Sequence, residues 1–315
     1  MPTPANAQEI LSLARNFMEC RVLLTGAELD IFTHLTEPAS SRDLAEQQGW
    51  HERPLTVVLD ALAAMGLLIK KEGHYRTDPG LLPLLSSPSP RSVLPMIKHA
   101  ATIWKNWSNL TRIVAETGGV EKPPGRFEGR EDQTAFIGAM HVIGRQHAPA
   151  IVQAVQPGPA RRLLDVGGAS GTYTIAFLEA SPLMSATIFD LPDVVAIGRA
   201  RVAEAGLADR VTFVSGNFYT DPLPSGHDLA LYKKVWTALV PRGRLVIRDH
   251  VMNAAKTAPP SGALFAVNML VGTPGGGTYT YEEIRSGLAQ AGFEDVRLIQ
   301  EEDRMMGLVE AYRPR

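Results

Sequence analysis

The 315-residue sequence has almost no cysteine, the residue that builds covalent cross-links and many structural metal sites. It contains one cysteine, Cys20, so no disulfide can form within a single chain. No CxxC pair and no Cys/His spacing typical of a zinc site occurs in it. We therefore expect neither a disulfide framework nor a bound metal.

The sequence also lacks an excess of either charge. It has 31 basic and 33 acidic side chains, for a net charge of -2. Proteins that bind nucleic acid non-specifically need a basic surface, so we do not expect a nucleic-acid partner. The longest apolar stretch, Val57 to Ile69, is interrupted by Asp60, and Met1 to Glu9 carries no basic-then-apolar signal. These features predict a cytoplasmic protein without a membrane partner.

The first 90 residues have the pattern of a small helical module. Two amphipathic helices are predicted first, with apolar faces formed by Ile10, Leu11, Ala14, Phe17 and Met18, and by Leu23, Ala27, Ile31 and Leu35. A short helix follows, with Ser40 and Asp43 spaced as a capping box and Gly49 at its end. A longer helix and a hairpin turning at Glu72-Gly73 complete the order of a winged helix.

A winged helix suggests DNA binding or, alternatively, a packing and dimerisation module. Residues 1–100 hold 9 Lys or Arg against 11 Asp or Glu, which is the wrong sign for contacting phosphates. We therefore expect a dimerisation domain over residues 1–90.

Residues 91–155 are predicted to be mostly helical, broken by the loop Gly118 to Gly129. Phe136 and Met140 share one helical face, where the choice between core packing and substrate contact stays open. Together with Asn268 and Met269, they are our candidates for lining a substrate pocket.

From residue 156 to 315, short β-type runs alternate with helical stretches, which predicts a mostly parallel sheet covered on both faces. Two late runs are expected to form a terminal antiparallel pair. The predicted runs are Arg162–Val166, Ala186–Phe189, Val211–Val214, His227–Ala230, Arg244–Ile247, Val296–Gln300 and Met306–Ala311.

The first run leads into a glycine turn that opens a helix, a pattern that brings a ligand close to the backbone. Asp165 stands two residues before Gly167, and Gly168 and Gly171 follow. A carboxylate there repels a pyrophosphate but tolerates a cation, so S-adenosylmethionine, with its sulfonium and ammonium, fits better than a dinucleotide. A nicotinamide-dependent reductase is the disfavoured alternative.

The next two strand ends carry further candidates for a nucleoside site. Asp190, nineteen residues beyond Gly171, is placed to accept hydrogen bonds from ribose hydroxyls, with Leu191 beside it. Asn217 is a candidate for the adenine amino edge, and Phe218 either packs on the ring or belongs to the core.

These motifs resemble those of the two-domain O-methyltransferases of the caffeic acid, hydroxyindole and bacterial polyketide-tailoring type, over nearly the whole chain. The segments that carry the resemblance are Asp165-Val166-Gly167-Gly168, Phe189-Asp190-Leu191-Pro192, Gly216-Asn217-Phe218, Arg242-Gly243-Arg244-Leu245 and Pro274-Gly275-Gly276. The resemblance implies a seven-stranded Rossmann-like domain, an N-terminal winged-helix domain that forms a homodimer, and methyl transfer from S-adenosylmethionine to a hydroxyl of a small ring-bearing acceptor.

The sequence departs from that family most in its catalytic part. The resemblance implies a base histidine after the fourth strand, but about fifteen residues, the histidine among them, have no counterpart at the Ala230-Leu231 junction. A true deletion and a segment missing from the printed sequence both stay open. We expect the second, with the histidine in that segment between Ala230 and Leu231.

Two acids of the family pattern can also be located. Asp249 matches the acid that orients the histidine, and Thr278 stands where the second acid is expected. Thr278 keeps open a rival in which the fold binds the cofactor but catalyses a non-methylating reaction. A winged-helix regulator that senses a ligand is the rival from another class. The identity of the acceptor, and the choice between O- and N-methylation, do not follow from the sequence.

Overall fold

A computed structural model describes residues 4–117, 130–217, 220–231, 239–273, 275–301 and 307–315. The predicted loop Gly118 to Gly129, the candidate Phe218 and Pro274 of the fifth family motif lie outside these residues. The chain divides into two compact units, one formed by residues 1–108 and 127–142 and the other by residues 109–126 and 143–315.

The first unit consists of helices around a small sheet. Its three strands are β1 (Ala39–Ser40), β2 (Leu68–Lys71) and β3 (His74–Thr77), paired antiparallel in the order β1-β3-β2. Its helices are α1 (Ala7–Arg15), α2 (Phe17–Glu28), α3 (Ile31–His34), α4 (Ser41–Gln48), α5 (Glu52–Ala64), α6 (Leu82–Leu85) and α7 (Leu94–Trp107).

The local signals in this unit act as predicted. The Ser40 side chain accepts the backbone N–H of Asp43, whose carboxylate accepts the N–H of Ser40, so both halves of the capping box form. Gly49 ends α4 in the left-handed region, and Glu72 and Gly73 turn the hairpin, also with positive φ. The core of the unit includes Ile31, Phe32, Leu44, Leu59, Leu62 and Tyr75.

Helix α1 has an apolar face that the described residues leave exposed. None of its residues is buried, and Ile10, Leu11 and Leu13 are each about half exposed or more. Phe17 and Met18, at the start of α2, are likewise exposed. A contiguous exposed apolar face of this kind is typical of a protein-contact surface.

The second unit is built on a seven-stranded sheet. Helix α9 (Arg130–Val155) leads into it from the first unit, after α8 (Leu110–Arg112) and a π-helical turn, Ile113–Thr117. The strands are β4 (Arg162–Val166), β5 (Ser185–Asp190), β6 (Val211–Ser215), β7 (His227–Leu231), β8 (Leu239–Asp249), β11 (Glu294–Gln300) and β12 (Gly307–Tyr312). The remaining helices are α10 (Thr172–Ala180), α11 (Pro192–Glu204), α12 (Pro260–Gly272) and α13 (Tyr281–Gln290), with a 3₁₀ turn at Ala208–Arg210.

The strand order is β11-β12-β8-β7-β4-β5-β6. Strands β4 to β8 run parallel, and β11 and β12 form the antiparallel pair predicted at the end of the chain. A second, two-stranded sheet pairs β9 (Val251–Met252) with β10 (Tyr279–Thr280) in parallel. The mostly parallel sheet of the predicted fold class is therefore present.

The structure corrects the expectation of an extra segment between Ala230 and Leu231. Both residues lie in β7, where they pair with the consecutive residues Leu164 and Asp165 of β4. A strand in continuous register leaves no place for an insertion at that peptide bond, and the 315-residue chain has none there. Only residues 232–238 join β7 to β8, although a parallel crossover ordinarily takes about a dozen residues or more.

Strand β8 is also longer than predicted, because it begins at Leu239 instead of Arg244. The predicted run follows Pro241-Arg242-Gly243, a turn-forming sequence that indicates the start of the strand. In the structure Arg242 takes a positive φ of 66° within the strand, and the pairing with β7 shifts register between His227 and Leu229.

Apolar side chains cover both faces of the sheet. One core lies beneath α13 and includes Leu164, Phe189, Leu245, Ile247 and Ile284. The other lies beneath the end of α9 and α10, and includes Ile151, Leu163, Phe177, Leu229 and Val246. Strand residues with both faces buried read as continuous apolar runs, which is why the sequence predicted a parallel sheet. Within the described ranges, no helix combines the length and the apolar character needed to cross a membrane.

Candidate functional site

The glycine turn after β4 follows the end of a buried strand and leads into α10. Gly167 and Gly171 have φ of 73° and 69°, in the left-handed region where a side chain is disfavoured. The N–H of Gly167 donates to the Phe189 carbonyl of β5 at 2.8 Å, and that of Gly171 donates to the Gly168 carbonyl at 2.7 Å. The turn is therefore tied to the neighbouring strand and closed on itself.

Asp165 lies inside this turn. Its carboxylate is buried, and Oδ2 accepts the Thr174 hydroxyl at 2.7 Å. Burial raises the pKa of Asp165 from 3.8 to about 6, with the nearby charge of Asp190 adding to the rise. A Cβ on Gly168 would lie 2.7 Å from the Asp165 Cγ, so only glycine leaves room for the acid beneath the turn. A nearby cation would relieve the cost of ionising it.

Asp190, at the end of β5, holds the turn from the other side. One carboxylate oxygen accepts the Ala169 N–H at 2.8 Å, and the other accepts the Leu191 N–H at 2.7 Å. A carboxylate oxygen has two lone pairs, so it can accept a hydroxyl in addition to a backbone N–H. Leu191 caps α11 and is partly exposed beside it.

The third strand end adds Asn217 to the same edge. The Gly216 N–H donates to the Asp190 carbonyl at 2.9 Å, which sets the start of this loop against β5. The backbone N–H of Asn217 donates to Asp221 Oδ2 at 2.8 Å, and the Asn217 side chain is exposed. This hydrogen bond lowers the pKa of Asp221, a residue that the sequence pattern did not single out.

The predicted cofactor residues are thus brought together at the carboxyl ends of β4, β5 and β6. Crevices at this edge are where open α/β sheets bind ligands. A turn with bare backbone, two acids and an exposed amide fits a nucleoside that carries positive charge. Of the predicted set, only Phe218 lies outside the described part of the chain.

Asp249 ends β8 on the far side of β7. Its Oδ1 accepts the N–H of His250 at 2.7 Å. Tyr279 pairs with Val251, so Thr278 and His250 each directly precede a paired residue, and Thr278 is buried. The His250 ring lies 5.1 Å from the Phe265 ring of α12, and burial lowers its pKa.

His227 is a structural histidine. Its ring nitrogens lie 3.2 Å from the Pro224 carbonyl and 3.0 Å from the Thr187 hydroxyl, inside the sheet. It is buried at the amino end of β7, away from the ends of the strands that carry the glycine turn.

The four candidate substrate residues do not all fall in one unit. Phe136 and Met140 belong to the first unit, where the Phe136 ring meets His99 edge-on at 5.1 Å. Asn268 and Met269 lie in α12 of the second unit, and the Met269 carbonyl accepts the Thr273 hydroxyl at 2.7 Å. All four are partly buried.

Sequence reasoning missed Tyr173 and Arg248. Tyr173 is the second residue of α10, and Arg248 lies one residue before Asp249 on β8. The guanidinium carbon lies 5.4 Å from the centre of the Tyr173 ring. Nothing in local sequence links residues 75 positions apart, so only the sheet order could have revealed the pair.

Comparison with known proteins agrees with this geometry. Residues 128–294 match an O-methyltransferase domain, and residues 11–80 match an O-methyltransferase dimerisation domain. The chain is 32% identical to the tetracenomycin polyketide synthesis 8-O-methyl transferase of Streptomyces glaucescens, with 92% of each chain covered. It is 29% identical to the 3-hydroxy-5-methyl-1-naphthoate 3-O-methyltransferase of Streptomyces sahachiroi, over 92% of this chain and 90% of that one.

Among solved structures, the human N-acetylserotonin methyltransferase in complex with S-adenosylmethionine shares the fold. It superposes with a TM-score of 0.82 at 22% identity, with all of both chains covered. The extent of the two domain matches and the identity to curated relatives decide the classification: the chain belongs to the O-methyltransferase family.

Proposed function

We propose that the protein is an S-adenosylmethionine-dependent methyltransferase that transfers a methyl group to a hydroxyl of a small aromatic or other ring-bearing compound. The observation that carries this is the glycine turn held between Asp165 and Asp190, at the sheet edge where a nucleoside would bind. The relatives support the acceptor class, since they are named for methylating a polyketide, a hydroxynaphthoate and acetylserotonin.

The residues present fit the cofactor. The Asp190 carboxylate, at the carboxyl end of β5, would accept the ribose hydroxyls, and Asn217 would contact the adenine edge. Gly167, Gly168 and Gly171 leave the backbone open to close approach. When bound, the cofactor supplies an electrophilic methyl group on a sulfonium, and methyl transfer breaks the S–C bond as the C–O bond forms.

Removal of the hydroxyl proton is the step where this chain differs from its family. Residues 232–238, which follow β7, contain no histidine. Asp249 stands in the position of the acid that orients that histidine in the family. Among the family's catalytic positions, it is the one that this chain still fills with an acid, and we assign the catalytic role to it. An acceptor hydroxyl that ionises readily in water, such as a phenol on a fused or carbonyl-bearing ring, needs the least help from a protein base.

The remaining assignments belong to the same proposal. The N-terminal winged helix would pair two copies of the chain into a homodimer, consistent with the exposed apolar face of α1. Residues 1–90, 91–155 and 156–315 would act as dimerisation, pocket and cofactor segments. Phe136, Met140, Asn268 and Met269 would line the pocket, and the family resemblance supports a cytoplasmic location.

A second candidate function keeps the fold and cofactor but not methyl transfer. Thr278 favours it, because a buried hydroxyl replaces an acid of the family pattern. The two functions differ in their product, so one experiment separates them. We would incubate the protein with methyl-labelled S-adenosylmethionine and ring compounds bearing a phenol, an aniline or a carboxylate.

Labelled methyl ether formed on the phenols supports the proposal, and label on the aniline nitrogen would replace it with N-methylation. Acceptor consumed without label transfer would favour the non-methylating reaction. The variant Asp190→Ala should lose labelling. The control variant Arg53→Ala, which changes an exposed residue, should keep it.

A further inference from the structure

Arg248 is a half-buried cation whose guanidinium the described residues leave incompletely paired. Its Nε and Nη2 atoms are inaccessible to solvent and form no hydrogen bond within the described ranges. The Tyr173 hydroxyl, against whose ring the guanidinium packs, is also buried without a partner there. Burial lowers the pKa of Arg248 and raises that of Tyr173. Polar groups of this kind, left unsatisfied, cost the fold free energy unless a ligand completes them.

Arg244, four residues earlier on the same strand face, has partners at both of its Nη atoms, while its Nε has none among the described residues. Its Nη2 pairs with the buried carboxylate of Glu310 at 2.5 Å, and its Nη1 donates to the Val155 carbonyl. Arg248 projects to the same face as Arg244 because side chains alternate along a strand. Within the described ranges, Glu310 therefore forms an ion pair with Arg244, whereas no carboxylate forms one with Arg248.

The unpaired groups sit next to the cofactor edge. Tyr173 follows the glycine turn by two residues, in the first turn of α10. The charges of Arg248 and Asp165 both act on the pKa of its hydroxyl, in opposite directions. On β8, Arg248 lies two residues beyond Val246, whose partner Leu231 is the last residue of β7, so it is at the open carboxyl end of the sheet.

We infer that Arg248 and Tyr173 bind the α-carboxylate of the methionyl arm of S-adenosylmethionine. A guanidinium and a phenol hydroxyl offer donors that match a carboxylate, while Asp165, beneath the glycine turn, suits the positive groups of the same arm. The arm is a zwitterion, and the site has an opposite charge for each of its ends. The inference rests on the proposed function and adds two binding residues to it.

A carboxylate on the methyl acceptor could bind Arg248 and Tyr173 in the same way as the methionyl carboxylate. The test separates these two ligands. S-adenosylhomocysteine keeps the methionyl carboxylate, whereas 5′-methylthioadenosine lacks the whole aminocarboxylate. Calorimetric titration of both ligands into the full chain measures the contribution of that group. The variants are Arg248→Met, Arg248→Lys and Tyr173→Phe, with Arg285→Met on the exposed face of α13 as the control.

Losing charge-assisted hydrogen bonds should weaken S-adenosylhomocysteine about 10- to 100-fold in Arg248→Met. Binding of 5′-methylthioadenosine should stay within about twofold of wild type, because an uncharged arm makes no ion pair. Arg248→Lys should fall between wild type and Arg248→Met, Tyr173→Phe should weaken only S-adenosylhomocysteine, and Arg285→Met should match wild type.

Equal weakening of both ligands would overturn the inference, because it would mark Arg248 as a purely structural residue. Unchanged S-adenosylhomocysteine binding together with a raised KM for acid-bearing acceptors would also overturn it and assign the pair to the acceptor. If the wild-type chain bound neither ligand, the proposed function itself would fail, which is distinct from failure at Arg248 alone.

Discussion

Protonation of Asp165 should control cofactor binding. Its pKa is raised to about 6 by burial, so the carboxyl is ionised at neutral pH and protonated in mild acid. Near pH 5, about nine in ten of these carboxyls carry a proton, against about one in ten near pH 7. If S-adenosylmethionine binds the ionised form, its affinity should fall about tenfold between these two pH values.

Titration calorimetry across this pH range measures the effect, with Asp165→Asn as the reference. The amide can still accept the Thr174 hydroxyl, so the turn should survive. The variant should bind S-adenosylmethionine more weakly near pH 7 and show no fall between pH 7 and about pH 5. S-adenosylhomocysteine, which lacks the sulfonium charge, should show the smaller dependence in the wild-type chain.

The raised pKa also has a consequence for stability. The folded chain holds a proton on Asp165 more tightly than the unfolded chain, so stability from this group is present at low pH. It is lost as the pH rises through the folded pKa of about 6. Without ligand, Asp165→Asn should therefore melt at a higher temperature than wild type at neutral pH. Identical pH dependence of binding in wild type and Asp165→Asn would refute this reasoning.

Three further substitutions test the packing around the site and the sheet. Gly168→Ala places a Cβ 2.7 Å from the Asp165 Cγ, and should lower the free energy of unfolding by about 1–3 kcal/mol in urea denaturation while weakening S-adenosylhomocysteine binding. Glu310→Ala leaves Arg244 buried without its counterion, and should cost about 3–5 kcal/mol in the same assay. Gly287→Ala, in the exposed interior of α13 with nothing within 4 Å of the new methyl, should stabilise by about 0.5–1 kcal/mol.

Each of these has an internal control. Gly277→Ala has open space around the added methyl and should leave stability and binding unchanged. A similar loss there would show that the effect of Gly168→Ala does not come from the contact with Asp165. Adding Arg244→Met to Glu310→Ala should recover part of the lost stability, because the uncompensated charge is gone. No recovery would show that Glu310 acts by packing alone.

The parts of the fold that sequence could predict are those set by local rules. Strand β4 was placed at its observed bounds because five residues of mostly apolar character lead into glycines. The capping box at Ser40 and the turn at Gly73 were also placed correctly, because each depends on residues only a few positions apart. Asp190 followed from its position at a strand end, and its contact with the turn is the arrangement that such spacing favours.

The parts that sequence could not predict depend on what neighbouring strands do. The sequence placed Asp165 beside a cation but gave no sign that Thr174 would hold it in a buried position. Arg248 and Tyr173 meet only because β8 and β4 flank β7 in the sheet order. The expected insertion after Ala230 was wrong because comparing the length of this chain with the family pattern does not show where a strand ends. The prediction ended β7 at Ala230, whereas the strand continues to Leu231.

The most direct test of the account is a crystal structure of the chain grown with S-adenosylhomocysteine. The account predicts one ligand per chain across the carboxyl ends of β4, β5 and β6, with its ribose hydroxyls on Asp190 and its methionyl arm beside the turn at Gly168. A saturated crystal with that edge empty, or with the ligand bound elsewhere, would contradict it.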